Sequence, residues 1–186
     1  MYPAEFVNNL KTHFGEERSS RLLSALDGEP SLSVRANPAK ITPEELAEHF
    51  SDIFDGYVPW CSEGLYLKSR PSFTLDPLFH AGYYYVQEAS SMYTGVFLKM
   101  AIAQLSGANC SLSNRSGLRI LDLCAAPGGK STHILSIIGS NDLLLSNEVI
   151  RSRSSILAEN IAKWGYPNAV VSNNDPADFS SLDVFF

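Results

Sequence analysis

The chain predicts an α/β protein: a small α+β block followed by the N-terminal half of a Rossmann-like, doubly wound sheet. Three observations carry that prediction. Leu118, Ile120, Leu121 and Leu123 form a short, dense apolar run, as a strand covered on both faces does. Small and turn-forming residues follow, Cys124-Ala125-Ala126-Pro127-Gly128-Gly129, and then Lys130 and Ser131 open a helix. Two further apolar runs, Leu143–Leu145 and Ala169–Val171, come at intervals that leave room for one helix each. Strand, helix, strand, helix, strand is the pattern of a parallel sheet.

The elements before that sheet are read in order. Pro3 suits a first helical turn and Gly15 a stop. A second helix runs from Glu16 to Asp27 on Leu22, Leu23 and Leu26, and Gly28 ends it. Ser31 to Ala36 alternates as a strand does. Thr42-Pro43-Glu44-Glu45 is a capping-box start. Gly64–Lys68 and Gly82–Val86 read as strands, and Met92, Val96, Leu98, Met100 and Ile102 predict one amphipathic helix over 88–105. Ser106 to Ser116 is a polar linker. The organisation expected is an α+β domain over 1–105, a linker over 106–117 and a partial cofactor domain over 118–186. No internal repeat is present.

The turn after Leu123 lets a ligand approach the backbone, because no large side chain stands there. Helix N–H groups and the positive dipole end favour anionic groups at Lys130 and Ser131. Asp122, at the end of the run, is expected to point into a site. A plain strand-to-helix connection is one reading. A P-loop is a second, since Gly129-Lys130-Ser131 matches its end, but Cys124 occupies the position of its first glycine. An adenosyl-methionine loop is a third. Glu148 follows the next apolar run and is placed to accept from ribose hydroxyls. Asn173-Asn174-Asp175 follows the third run, where Asp175 is placed to accept from an adenine amino group.

The segments CAAPGGKSTH (124–133), Tyr83-Tyr84-Tyr85-Val86-Gln87-Glu88-Ala89-Ser90-Ser91-Met92 and Ser33-Val34-Arg35-Ala36-Asn37-Pro38 together resemble the Sun-family (Nop/Nol/Sun) RNA cytosine-5 methyltransferases. Arg151-Ser152-Arg153, Leu157-Ala158-Glu159-Asn160, Lys163-Trp164-Gly165 and Asn174-Asp175-Pro176 extend the likeness in the same order. It is strongest to the bacterial branch acting on small-subunit ribosomal RNA. The resemblance implies S-adenosyl-L-methionine as cofactor, with Cys124, Ala125, Ala126, Pro127, Gly128, Gly129, Lys130, Glu148, Arg153 and Asp175 around it. It implies RNA, ribosomal in this branch, as partner, and a cytoplasmic location.

The family's chemistry uses two cysteines, in a Pro-Cys and a Thr-Cys motif after later strands. A thiolate adds at C6 of cytosine so that C5 can attack the methyl group. Neither motif occurs here: Cys61 follows Trp60, Cys110 lies in the linker and Cys124 in the cofactor loop. The expectation is therefore a truncated, inactive part of such an enzyme, with no catalytic residue in this chain. A non-catalytic RNA- or protein-binding module is the alternative. A first strand without its usual partner is expected to recruit a second copy, unless the tail 178–186 covers it.

Composition agrees. With 186 residues and 45% hydrophobic content, the chain can bury a sizeable core. No apolar run is long enough for a membrane span, no secretory signal is evident at the start, and no Cys/His spacing suggests zinc or a disulfide framework. The net charge of −6 is unusual for an RNA binder. Up to Ser90 there are 13 acids and 7 bases, and beyond it 7 of each. RNA contacts have to come from a local basic face or from parts outside this chain; Arg35, Lys40, Lys68, Arg70, Arg151 and Arg153 are the candidates, with solvated surface charge the ordinary role of each. One of the tyrosines 83–85 is open to a base-stacking or cofactor-wall role beside ordinary core packing.

Overall fold

The computed structural model describes residues 2–106 and 117–182. Residues up to Ser31 form one compact unit, and those from Leu32 onward form a second. The first is α1 (Ala4–Leu26), interrupted at Gly15, whose φ of 76° and ψ of 168° only glycine adopts without strain. The two expected helices are thus one element with a break at the expected place. The Tyr2 hydroxyl donates to Asp27 at 3.0 Å, tying the two ends of this unit together.

The second unit contains two sheets. β1 (Leu32–Ala36) is central in the first, between β3 (Gly64–Leu67) and β4 (Tyr84–Val86), with β2 (Phe54–Tyr57) outside β3; every pairing is antiparallel. Burial along β1 does not alternate: Ser33 to Ala36 are all buried. A central strand is covered on both faces. Val34 and Ala36 join Leu46, Phe50, Leu65, Phe73 and Tyr84 in one apolar cluster, while Ser33 and Arg35 turn to the other face. β2 escapes a sequence reading because its register shifts between Phe54 and Gly56, where φ is +121°.

α2 (Pro43–His49) opens on the predicted capping box. Thr42 Oγ1 accepts from the Glu45 N–H at 3.2 Å, and Glu45 Oε2 accepts from the Thr42 N–H at 2.9 Å. A short α3 (Pro77–His80), capped by Asp76, precedes β4. The helix expected over 88–105 is two helices, α4 (Ala89–Met92) and α5 (Thr94–Ser106), separated at Tyr93. Met92 is buried on α4; on α5 Ile102 is buried while Met100, two residues or about 200° away around the helix, is exposed.

The second sheet is parallel. β5 (Arg119–Asp122), β6 (Leu143–Asn147) and β7 (Ala169–Ser172) lie in the order β5-β6-β7, connected through α6 (Gly129–Ile137) and α7 (Arg151–Trp164). Leu135, Leu144, Leu157, Ile161 and Trp164 form its core. Among the described residues β5 pairs with β6 alone. Both sheets belong to one compact unit, and polar side chains from the first explain why. Asn37 Nδ2 donates to Gly82 O and to Trp164 O, both at 2.9 Å. Lys40 Nζ donates to Ala81 O at 2.7 Å and Lys163 O at 2.6 Å. These groups satisfy carbonyls that the end of α7 cannot pair internally, and they place a cation at its negative end.

Candidate cofactor site

The loop between β5 and α6 is held from behind. Arg153 Nη2 donates to Ala126 O at 2.8 Å. Pro127 O accepts from Asn160 Nδ2 at 2.8 Å and from the Tyr85 hydroxyl at 3.2 Å. Thr132 Oγ1 donates to Gly128 O at 2.8 Å. Gly128 turns the chain with φ at 113°, where a side chain would be strained. The Ala126–Pro127 peptide is cis. With its carbonyls anchored inward, the loop leaves the first-turn N–H groups of α6 without intrahelical acceptors. Ala125, Ala126 and Gly128 are buried, while Cys124, Pro127 and Lys130 are exposed.

A cleft of about 220 Å³ separates this loop from the segment after β4, with Tyr85, Gln87, Glu88, Cys124, Pro127 and Lys130 among its walls. Gln87 was not singled out by the sequence as a site residue, yet it is the most constrained group there. It is buried, and its Oε1 accepts from Arg35 Nε at 2.8 Å. That bond fixes the amide, so Nε2 is the free donor; it has no partner among the described residues and lies against Gly129. A buried donor facing the loop is suited to an acceptor oxygen on a ligand.

The strand ends are tied together by Asn147, which carries no motif in the sequence. Its Nδ2 donates to Leu123 O at 3.2 Å and Asn174 O at 3.0 Å, and its Oδ1 accepts from Ser172 Oγ at 2.8 Å and from the Asn174 N–H at 3.0 Å. The available signal was a polar residue closing an apolar strand. Asp122 closes β5 and accepts from Ser131 Oγ at 2.7 Å, joining strand end to helix start. Glu148 is buried, with Oε1 accepting from the Ile150 N–H at 3.1 Å and Oε2 facing Arg153 Nη1 at 3.5 Å. Asp175 is exposed and its Oδ1 accepts from the Ala177 N–H at 2.8 Å.

Arg35, expected among possible RNA contacts, is instead fully buried. Besides Gln87 it donates from Nη2 to Thr132 Oγ1 at 2.7 Å, and its guanidinium lies 4.7 Å from the Trp164 ring centroid. Burial pulls its pKa down to about 10, which still leaves it charged at neutral pH. No sequence pattern distinguishes this arginine from a surface one. Lys40 is also engaged with backbone carbonyls, as described above. Lys68, Arg70, Arg151 and Arg153 are exposed.

Cys61 is buried, with Sγ 3.8 Å from His133 Nε2 and 3.5 Å from Glu63 Oε2. Burial, then the Glu63 carboxylate, push its thiol up to about 11. It is a protonated interior thiol, unlike an activated nucleophile. Cys110 lies outside the described residues. Burial, then the Arg35 and Lys99 cations, pull His133 down to about 3. Between about pH 6.5 and 3 the unfolded chain binds a proton that the folded chain refuses, so stability falls as pH falls through that window. The slope from this one group reaches about 1.4 kcal/mol per pH unit. Urea unfolding at pH 7 and pH 5 should show a steeper loss for the native chain than for His133→Gln. Equal losses would mean that the imidazole is not held neutral.

Comparison with known proteins agrees with this geometry. Residues 2–89 match the N-terminal domain of 16S rRNA methyltransferase RsmF, and residues 109–184 match 16S rRNA methyltransferase RsmB/F. Ribosomal RNA small subunit methyltransferase F of Shewanella halifaxensis is 30% identical over 94% of this chain and 37% of its own length. The protein of that name from Vibrio campbellii is 33% identical over 77% of this chain and 28% of its own. Among solved structures, a methyltransferase homolog from Pyrococcus horikoshii superposes with a TM-score of 0.76 at 26% identity, over 98% of this chain and 56% of that one. NSun6 from Pyrococcus horikoshii has the same fold, with a TM-score of 0.77 at 18% identity, over 97% of this chain and 67% of that one. The chain spans about a third of the length of the curated relatives it matches. It belongs to the RsmF/Sun family of ribosomal RNA methyltransferases, as an N-terminal part of that fold.

Proposed function

We propose that this chain supplies the cofactor-holding part of a cytoplasmic, S-adenosyl-L-methionine-dependent RNA cytosine-5 methyltransferase acting on small-subunit ribosomal RNA. The inward-anchored loop from Cys124 to Lys130 carries the reading: a narrow backbone turn opens onto a cleft, with a helix start on one side and the Gln87 donor on the other. Bound there, adenosylmethionine supplies an electrophilic methyl group, while the protein supplies position and electrostatics. The loop N–H groups and Gln87 suit the amino-acid end of the cofactor. Glu148, at the end of β6, suits the ribose hydroxyls, and Asp175, after β7, suits the adenine amino group. Arg153 bridges Glu148 and the loop, and so keeps two of these groups in register.

The chain by itself is a holder, because it contains neither a Pro-Cys nor a Thr-Cys dipeptide. It also holds the cofactor weakly. Asp175 stands in solvent, so the ligand surface beside it stays wet and part of the burial gain of ~25 cal/mol/Å² goes unrealised. Calorimetric titration is expected to give S-adenosylhomocysteine a dissociation constant weaker than micromolar and to give ATP no heat. ATP binding with none for the homocysteine ligand would return the P-loop reading. Transfer of labelled methyl to ribosomal RNA by the purified chain would overturn its role as holder only.

A further inference from the structure

A second cleft, of about 230 Å³, shares Tyr85 and Val86 with the first and is lined by residues of β4 and α7. Phe73, Phe79, Tyr85 and Trp164 give it aromatic walls, and Arg70 and Lys163 stand at it. Among the described residues no carboxylate lines it, in a chain whose net charge is −6. Both cations are posted over rings: Arg70 Cζ is 5.6 Å from the Phe73 centroid and Lys163 Nζ 5.5 Å from that of Phe79. The acid nearest to Lys163 is Glu159 at 3.8 Å, itself exposed, so that pairing is weak. Rings flanked by cations suit a ligand with a flat π-face and a negative charge close together.

We propose that this cleft takes one unstacked nucleotide of the RNA substrate, its base against the aromatic wall and its phosphate between Arg70 and Lys163. The inference rests on the RNA reading above and adds a contact that the cofactor loop does not make. Single strands are gripped by stacking on rings together with basic groups along the backbone. The arrangement also reconciles an acidic chain with an anionic partner, because the attraction is local. Tyr85 and Asn160 reach from this cleft to Pro127 O, so a nucleotide here would sit one side chain away from the cofactor loop.

The test is fluorescence anisotropy of the whole chain with a labelled single-stranded hexaribonucleotide, with free CMP as competitor. Arg70→Gln, at an exposed position, should lower the slope of log affinity against log salt by about 0.7. Phe79→Ala should weaken binding about tenfold, with circular dichroism and a thermal melt confirming the fold. Lys68→Gln, exposed and outside the cleft, should change neither the slope nor the affinity as much. Thiouridine in the same oligomer should crosslink to the segments carrying Phe79, Tyr85 or Trp164. RNA binding unmoved by Arg70→Gln and Lys163→Gln, with crosslinks elsewhere, would overturn the cleft and leave the RNA reading standing. Absence of RNA binding while S-adenosylhomocysteine still binds would overturn both. CMP binding as tight as the oligomer would assign the cleft to a free nucleotide instead.

Discussion

Gly82→Ala is expected to be among the most destabilising single substitutions in this chain. Gly82 has φ at +69°, and a Cβ built there would lie 2.1 Å from the backbone oxygen of Lys163 and 2.7 Å from its carbonyl carbon. Backbone cannot step aside as a flexible side chain can, so the end of α7 would have to leave the turn before β4. Three anchors go with it: Asn37 to Gly82 O, Asn37 to Trp164 O, and Lys40 to Lys163 O. The expected loss is on the order of 4 kcal/mol or more, or about 10 °C in melting temperature for a chain of this size. Gly56→Ala is the internal control. Its φ is +121°, but nothing lies within 4 Å of the added carbon, so only backbone strain of about 1–2 kcal/mol remains. If the two variants melt together, close approach at Gly82 is not what holds the sheets.

Removing the Arg35 head group is the second large effect. Arg35→Met keeps much of the volume but leaves Gln87 Oε1 without its donor, takes a donor from Thr132 Oγ1, and removes the cation from the Trp164 face. Losing hydrogen bonds from a buried charged donor, with the Gln87 acceptor left unsatisfied, costs about 1.5–3 kcal/mol. Arg35→Lys should recover little of it. One ammonium cannot reproduce a planar fork that reaches Gln87 on one side and Thr132 and Ser136 on the other. Urea denaturation of both variants, with a double-mutant cycle to Thr132→Val, reads the coupling directly. A lysine variant as stable as the native chain would show that charge alone, without the fork, suffices.

Much of the fold was legible because it depends on local chemistry. The capping box at Thr42, the glycine break at Gly15 and the loop at Gly128 each state a backbone requirement in the residues themselves. The three parallel strands were legible as dense apolar runs. The short β2 was not, since its Gly56 irregularity hides the pairing. The break at Tyr93 was not, because an apolar spacing spans it. The turn after β5 could be read from sequence as a narrow strand-to-helix loop, whereas the contacts of Arg35, Gln87 and Asn147 could not. Their function depends on partners far away in the chain: Thr132 for Arg35, Arg35 for Gln87, and Leu123 and Asn174 for Asn147. Charge and polarity alone made Arg35 look like a surface residue.

The wiring of the first sheet to α6 and α7 also sets an order of events on the ribosome. Arg35 and Thr132 are separated by 97 positions, and Asn37 and Trp164 by 127. At ~5–20 residues per second, the N-terminal strands wait roughly 5–25 s after synthesis before the groups that satisfy them have been made. During that interval the Arg35 guanidinium on β1 and the Asn37 amide just after it lie on a face that cannot yet close. The antiparallel sheet is therefore expected to mature late, when α7 arrives, although its own strands are translated first. Nascent chains stalled before residue 132 should be cut by protease between β1 and β4, and those stalled well past residue 165 should resist.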